Sequence, residues 1–555
     1  MSHFAPSRMR GRRPLAVALL AVGSLLVAAC GDDGGGGGGG NAGGNEPVGD
    51  PVPGGEVVYA LEAETADGWC LAEAQLAISG IQVARTIYDT LTAPNEDGEY
   101  EPFLAESVEP NDTYDEWTIT LREGVKFHDG TDLDATVIKN NLDAYRGTYP
   151  ARNPLLFRFV LQDIEDVQVV DPMTVKVVTK RPWPAFPATL FASGRLGMMA
   201  QAQLDSDDCA REMIGTGPFK LENWTTGESL SATKNPDYWG TDADGNQLPY
   251  LDRIEYQPYP DGGARVNALL GGSVNMIHTS SAQQILQLRE DAEGGNVNLV
   301  ESDEYAEVSY GMMNTSVPPF DNITARKAVA YAVDQETFNQ VVNEGLLEIA
   351  SGPFAPGSMG YVEDTGLPRY DLDEAKKLVA QYEEETGQPL RFTLQHTTDA
   401  EVTAAAQLLQ EQAKKAGMQV DLKAVEQATL IETVIGTEWQ IATFRNHPGG
   451  DPDTQYYWWH STQPTNFGKF KDPELDRLLD EGRESSDPER RKEIYQAVNK
   501  RLGEQVYNYW LNWTMWAVAS DANIHGVMGP ELPSGKGPFP GLATGHPVTA
   551  IWIEQ

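Results

Sequence analysis

The stretch from residue 390 to 445 constrains the fold most, because its hydrophobic period switches back and forth. "LRFTLQHTT" (390–398) reads as a strand, "EVTAAAQLLQEQAKKAGM" (401–418) as a helix, "QVDLKAVE" (419–426) as a strand, and "WQIATFR" (439–445) as one more strand. Strand, helix and strand in this order predict an α/β lobe with parallel strands, since a parallel pair needs a crossover and the helix supplies it. Open sheets of this kind place ligands beyond the carboxyl ends of their strands. The segment at the end of the last strand, "FRNHPGGDPDTQYYWW" (444–459), is therefore the first candidate for a functional loop. It brings Arg445, Asn446, His447 and Asp451 together with turn-forming residues and four consecutive aromatics.

A chain of 555 residues exceeds what one core serves, so two or more packed lobes are expected. Residues 57–61 predict a buried strand followed by a polar loop, and 75–94 a helix ending before Pro94. Strands are predicted within 116–131 and 173–181, and a helix over 134–146 with Asp134 as its N-cap. Further helices are predicted over 323–345 and over 370–387, the latter beginning on an Asp cap and ending at Gly387.

The first 29 residues read as an export signal. Arg8, Arg10, Arg12 and Arg13 precede an apolar run from residue 15 to 29, which is too short and wrongly flanked for a membrane span. The run ends in "VAAC", an aliphatic residue, two small ones and Cys30, the pattern of a bacterial lipoprotein signal in which the Cys30 thiol carries the lipid. Arg12 and Arg13 match a twin-Arg signal only weakly. Residues 30–54 are Gly-rich tether composition with little to bury. The expected location is the outer face of the cell membrane.

Charge and motifs exclude several classes. Against 41 basic residues stand 82 acidic ones, a net charge of −41, which repels phosphate backbones and argues against nucleic acid as a partner. No G-x-S-x-G occurs; "GPELPSGKGP" (529–538) lacks phosphate-loop spacing, and Pro218 and Lys220 break the dinucleotide fingerprint that "GTGPFK" (215–220) begins. The eight His form no metal-type pair, so no metal, no cofactor and no enzyme activity is expected. A secreted hydrolase has only the general supply of carboxylates in its favour. Cys70 and Cys209 remain after Cys30; outside the cell they most simply form one disulfide, with a metal pair or reactive thiol as the alternative.

Aromatics offer the better clue. Trp439 and Tyr456 to Trp459 are followed by Tyr507, Tyr509, Trp510, Trp513 and Trp516. Most belong in a core, but aromatics beside loop Arg and Asn also line pockets for large polar ligands. The candidate binding residues are Arg445, Asn446, His447 and Asp451. To these are added Glu64 and Trp69 after the first strand, Tyr456 and Trp459, and Gln427 just beyond residues 419–426.

Longer blocks carry a family resemblance. "LREGVKFHDGTDLDATVIKNNLDAYR" (121–146), "GTGPFKLENWTTGESLSATKNPDYWG" (215–240), "YGMMNTSVPPFDNITARKAVAYAVDQETF" (310–338), "YDLDEAKKLV" (370–379) and "FGKFKDPELDRLLDEG" (467–482) resemble the extracytoplasmic solute-binding proteins of family 5, the peptide/nickel type that feeds ABC importers. The resemblance implies a fold of the type II periplasmic-binding-protein kind, two lobes about a hinge plus a third. Lobe I is expected from 55–90, 213–305 and 516–555, lobe II from the insertion 91–212, and lobe III from 306–515. It implies a monomer that captures a small-molecule or peptide ligand and delivers it to membrane permease subunits.

Peptide-binding relatives carry an Asp shortly before the acidic-Pro pair, where it meets the peptide's α-amino group. Aligning Asp451-Pro452 with that pair puts Pro448 in its place. An oligopeptide or dipeptide remains the expected ligand. An oligosaccharide, opine or metal chelate is the alternative, and a sensory module would use the same closing lobes.

Overall fold

A computed structural model describes residues 49–65, 68–398, 400–447 and 449–555. Cys30, most of the tether and Pro448 lie outside the described residues. The fold is α/β, built around a 10-stranded mixed sheet with a separate four-stranded antiparallel sheet. Among the described residues no helix is long and apolar enough to cross a membrane.

The expected α/β lobe forms as parallel strands. Arg391–Thr397 pairs in parallel with Gln419–Val425 and with Ile441–Asn446, and helix Ala400–Lys415 is the crossover. At the other end of the same sheet, Glu56–Leu61 pairs in parallel with Arg253–Pro258 and Met276–Thr279. Two long antiparallel strands, Val297–Met313 and Asn508–Asp521, join these ends. Residues 297–302 lie against 516–521, whereas 308–313 also pair with Ile441–Asn446. The register breaks between Ser302 and Glu307, where Tyr305 takes φ +50°. A break of this kind uncouples two halves of a strand and bends it.

The four-stranded sheet comprises Ala105–Pro110, Glu116–Leu121, Thr174–Thr179 and Ile164–Asp171. Helix Ala135–Arg146 packs on it, capped by Asp134, whose carboxylate accepts from the Thr136 and Val137 amides. Asp371 caps Leu372–Thr386, and Gly387 ends that helix at φ +68°.

Two helices differ from expectation. The one sought over 75–94 stops at Ile87, and Thr92–Pro94 forms a strand with Tyr100–Pro102. Extended backbone there lets the buried Asp89 carboxylate accept from Trp239 Nε1 and Thr216 Oγ1, both at 2.9 Å. The one sought over 323–345 divides into Ile323–Ala332 and Gln335–Val342, because Asp334 caps the second by accepting from the Thr337 amide. Cys70 and Cys209 form the disulfide, their Cα atoms 5.0 Å apart. Most of the aromatics lie in the core, Trp459, Trp510 and Trp439 among them.

Four histidines make the fold acid-sensitive: His278 and His546 are buried, His128 and His447 half-buried, and the protein lowers the pKa of all four, that of His278 chiefly by burial. His128 Nδ1 accepts from the Gly215 amide, His447 Nδ1 from the Gly449 amide, and the Tyr59 hydroxyl reaches His546 Nε2 at 3.0 Å. Each ring is thereby held neutral. Burial lowers His128 and His546 to about 4; burial together with the Arg195 charge lowers His447 to about 3. Unfolded histidine titrates near 6.5, so the unfolded chain takes up protons first as pH falls. By pH 4 each of His128, His447 and His546 has withdrawn up to roughly 3 kcal/mol of stability. Burial also pushes Asp89 up to about 6, which acts in the opposite sense: its unfavourable contribution fades as pH falls below that value. The four histidines predict a melting temperature that drops from pH 6.5 to 4, with the raised carboxyls of Asp89, Glu62 and Glu304 opposing the drop. Replacing His128 and His546 together by Gln should flatten that drop; an unchanged pH profile would sink the assignment.

Candidate functional site

The two parallel strand sets direct their carboxyl ends toward one another. Glu62 follows Glu56–Leu61, and Ser280 and Ser281 follow Met276–Thr279; Arg445 lies near the carboxyl end of Ile441–Asn446. Contacts cross between them. Arg445 Nη1 is 3.2 Å from Ser280 Oγ and 3.7 Å from Glu307 Oε2, and Ser281 Oγ donates to Glu401 at 2.9 Å. Glu62 pairs with Arg265 at 3.2 Å. Arg265 is buried and also donates to the backbone carbonyls of His278 and Tyr259.

These facing strand ends form the candidate cleft, in which the Arg445 side chain is 44% accessible. Glu62 keeps 27% of its side chain accessible, yet the protein around it raises its pKa by desolvation, against the lowering influence of Arg265 and then Arg445. A cation (Arg445) and two acids (Glu62 and Glu307) within one recess can bind a molecule that carries both charges, each ligand group replacing a contact the side chains now make with each other.

The candidate residues divide between this cleft and other places. Arg445 faces it. Asn446, one residue on, points the other way, as strand pleating requires, and donates to Gln455 Oε1 at 2.6 Å. His447 lies near the inserted segment, its Nδ1 3.4 Å from Ser193 Oγ. Asp451 forms a two-pronged ion pair with Arg491, at 2.7 and 2.8 Å. The Tyr456 hydroxyl donates to Asp480 at 2.8 Å, and the ring lies 3.8 Å beneath the Arg483 guanidinium. Trp459 is in the core against Tyr310, Phe470 and Trp510. Glu64 accepts from Trp224 Nε1 and the Gly227 amide and, with Trp69, lines a small cavity beside the first strand. Gln427 opens helix Gln427–Ile435, and its side chain lies outside what is described.

Sequence reasoning missed Glu62, Ser280, Glu307 and Arg265. Glu62 and Ser280 had a signal: each is the residue immediately after a strand that ends at the cleft.

Two sets of strand ends that face one another across a register break and present both a cation and acids are suited to holding a charged solute. The match to known proteins gives the family. Residues 99–468 match the model of bacterial extracellular solute-binding proteins, family 5 (middle), and the chain belongs to that family, the substrate-binding components of ABC transporters. It is 29% identical over 434 residues to the glutathione-binding protein GsiB of Salmonella paratyphi A, covering 74% of this chain and 80% of that one. Its fold is similar to that of AgaA from A. tumefaciens R10 in complex with agropinic acid, with a TM-score of 0.78, 26% identity, and coverage of 90% and 99%. It also resembles DppA from Helicobacter pylori in complex with the peptide STSA, with a TM-score of 0.78, 22% identity, and coverage of 91% and 99%. These are type II periplasmic-binding-protein folds.

Proposed function

We propose that the chain is a lipid-anchored, extracytoplasmic capture protein of an ABC importer. Its cargo is a small peptide-like molecule bearing an ammonium and a carboxylate. The observation that carries this reading is the opposed charge of the cleft, with Arg445 3.7 Å from Glu307 and Glu62 nearby. The carboxylate meets Arg445; the ammonium meets Glu62 and Glu307. The similarity to a glutathione-binding protein supports the same class. An opine is the second reading, favoured over an oligosaccharide or a metal chelate by the 26% identity to AgaA.

The lobes are residues 55–90, 213–305 and 516–555 for lobe I, 91–212 for lobe II and 306–515 for lobe III. The hinge is the register break at Ser302–Glu307. Ligand shifts the open–closed equilibrium by binding the closed form better, and the closed monomer docks on membrane permease subunits. Cys30 at the end of "VAAC" carries the lipid that holds the protein at the outer face of the membrane. No catalytic step is required of the chain.

Native mass spectrometry of protein purified without refolding tests the cargo: small zwitterionic masses support it, and a neutral sugar ladder overturns it. Arg445→Ala is expected to weaken binding of the recovered ligand by about 10- to 100-fold, the worth of a charge-assisted hydrogen bond, at unchanged melting temperature. An unaltered dissociation constant removes Arg445 from the site.

A further inference from the structure

A second arginine reaches the same region from the inserted segment. Arg195 follows a turn in which Ala192, Ser193 and Gly194 all have positive φ, +43°, +58° and +79°. Glycine adopts that geometry freely; alanine and serine do so at a cost, and such strain persists where surrounding structure demands a particular presentation. Gly194 is wedged against helix Ile78–Ile87, where a Cβ would come within 3.0 Å of Ile81 and Arg85. The turn is thus anchored on one side, and Arg195 leaves it toward lobe III.

The guanidinium is only partly satisfied by the protein. Its Nε donates to the Leu76 carbonyl at 3.0 Å. Among the described residues its terminal nitrogens have no hydrogen-bond partner, and no carboxylate lies within 4.0 Å of it. The other deep arginines here are answered: Arg85 by the Thr544 and Gly545 carbonyls, Arg265 by Glu62, Arg483 by Asp453 and Asp163. Desolvation lowers the Arg195 pKa, with Tyr457 and Glu307 the charge neighbours that offset it. The neighbouring His447 stays neutral, so it adds no second positive charge there. A half-buried cation without a counter-ion is costly to keep, and a charged ligand group removes that cost.

We infer that Arg195 binds a second acid group of the ligand, so that the cargo is an acidic peptide-like molecule with two carboxylates, one on Arg445 and one on Arg195, flanking the ammonium held by Glu307 and Glu62. This rests on the peptide-like reading above and narrows it.

Paired probes separate the two readings. Ala-Glu and Ala-Gln differ by one carboxylate, and glutathione carries two; all three are titrated by calorimetry into wild type, Arg195→Gln and Arg195→Lys. Wild type is expected to prefer Ala-Glu over Ala-Gln at least tenfold. Arg195→Gln should bind both alike, with its melting temperature unchanged, and Arg195→Lys should keep part of the preference. Equal affinities in wild type, or a preference that survives in Arg195→Gln, overturn the role of Arg195 and leave the peptide-like reading standing. Failure of wild type to bind any of the three overturns that reading and this one with it. If Arg195→Gln does not fold, the preference in Arg195→Lys decides: undiminished, it refutes the assignment.

Discussion

Arg483→Met is expected to destabilise the protein by roughly 3–5 kcal/mol, the range for breaking a buried ion pair by removing one partner. The Arg483 and Asp453 side chains are 3% and 1% accessible and 2.9 Å apart. Arg483 also pairs with Asp163 at 2.8 Å, and Asp453 accepts from Trp183 Nε1 at 2.7 Å. Removing the guanidinium leaves Asp453 as a desolvated carboxylate facing one indole N–H and the Tyr495 hydroxyl. For a chain this long the unfolding entropy is on the order of 1 kcal/mol per degree, so the melting temperature should fall by about 3–5 °C. Arg477→Met is the matched control. It sits in the same helix, half exposed beside Glu474 and Glu481, where an ion pair contributes about 0–1 kcal/mol. Adding Asp453→Asn to Arg483→Met should recover part of the loss, because the orphaned charge goes while the Trp183 bond stays. Equal melting temperatures for the Arg483 and Arg477 variants would refute the argument. The network joins Asp163, Arg181 and Trp183 to Asp453, Asp480 and Arg483.

The parallel strands and their helices were legible because their signals are local. Alternation, a 3.6-residue stripe and an Asp cap each occupy a few neighbouring residues, and Asp134 and Asp371 cap where their sequences imply. The split at Val333–Asp334 was hidden because apolar residues continue across it, while the cap that divides it is a single carboxylate.

Of the candidate loop, the structure brings Arg445 to the facing strand ends and gives Asn446, Asp451 and Tyr456 partners elsewhere. The loop's position at a strand end was sound, and Arg445 faces the cleft. Strand pleating alone separates Arg445 from Asn446, so period two could have split that pair in advance. The partners of Asp451 and Tyr456 could not be foreseen, since Arg491 and Asp480 lie 40 and 24 residues away in the chain. Arg195 carried no local signal: only the fold brings a turn from the inserted segment beside Glu307 and His447.

Replacing both Cys70 and Cys209 by Ala should lower stability by about 3–5 kcal/mol, and the reason lies in what the bridge encloses. The two residues are 139 apart, and the loop between them contains the whole four-stranded sheet and its helices. Cross-linking the ends of so long a loop removes unfolded-chain entropy worth about 5 kcal/mol in the loop-closure model. In the folded state the bridge ties together the two ends of the segment that carries the four-stranded sheet. Gln203 Nε2 ties the same place together by donating to the Trp69 and Cys209 carbonyls, at 3.1 and 3.2 Å. Because those native contacts persist without the sulfurs, the double variant should fold and bind ligand with unchanged affinity while unfolding at a temperature about 3–5 °C lower. The same shift should follow reduction of the wild type by a strong dithiol and be absent when that reductant is added to the double variant. A melting temperature indifferent to both treatments would mean that the unfolded chain is already held compact across this loop, and that the bridge constrains nothing that folding does not.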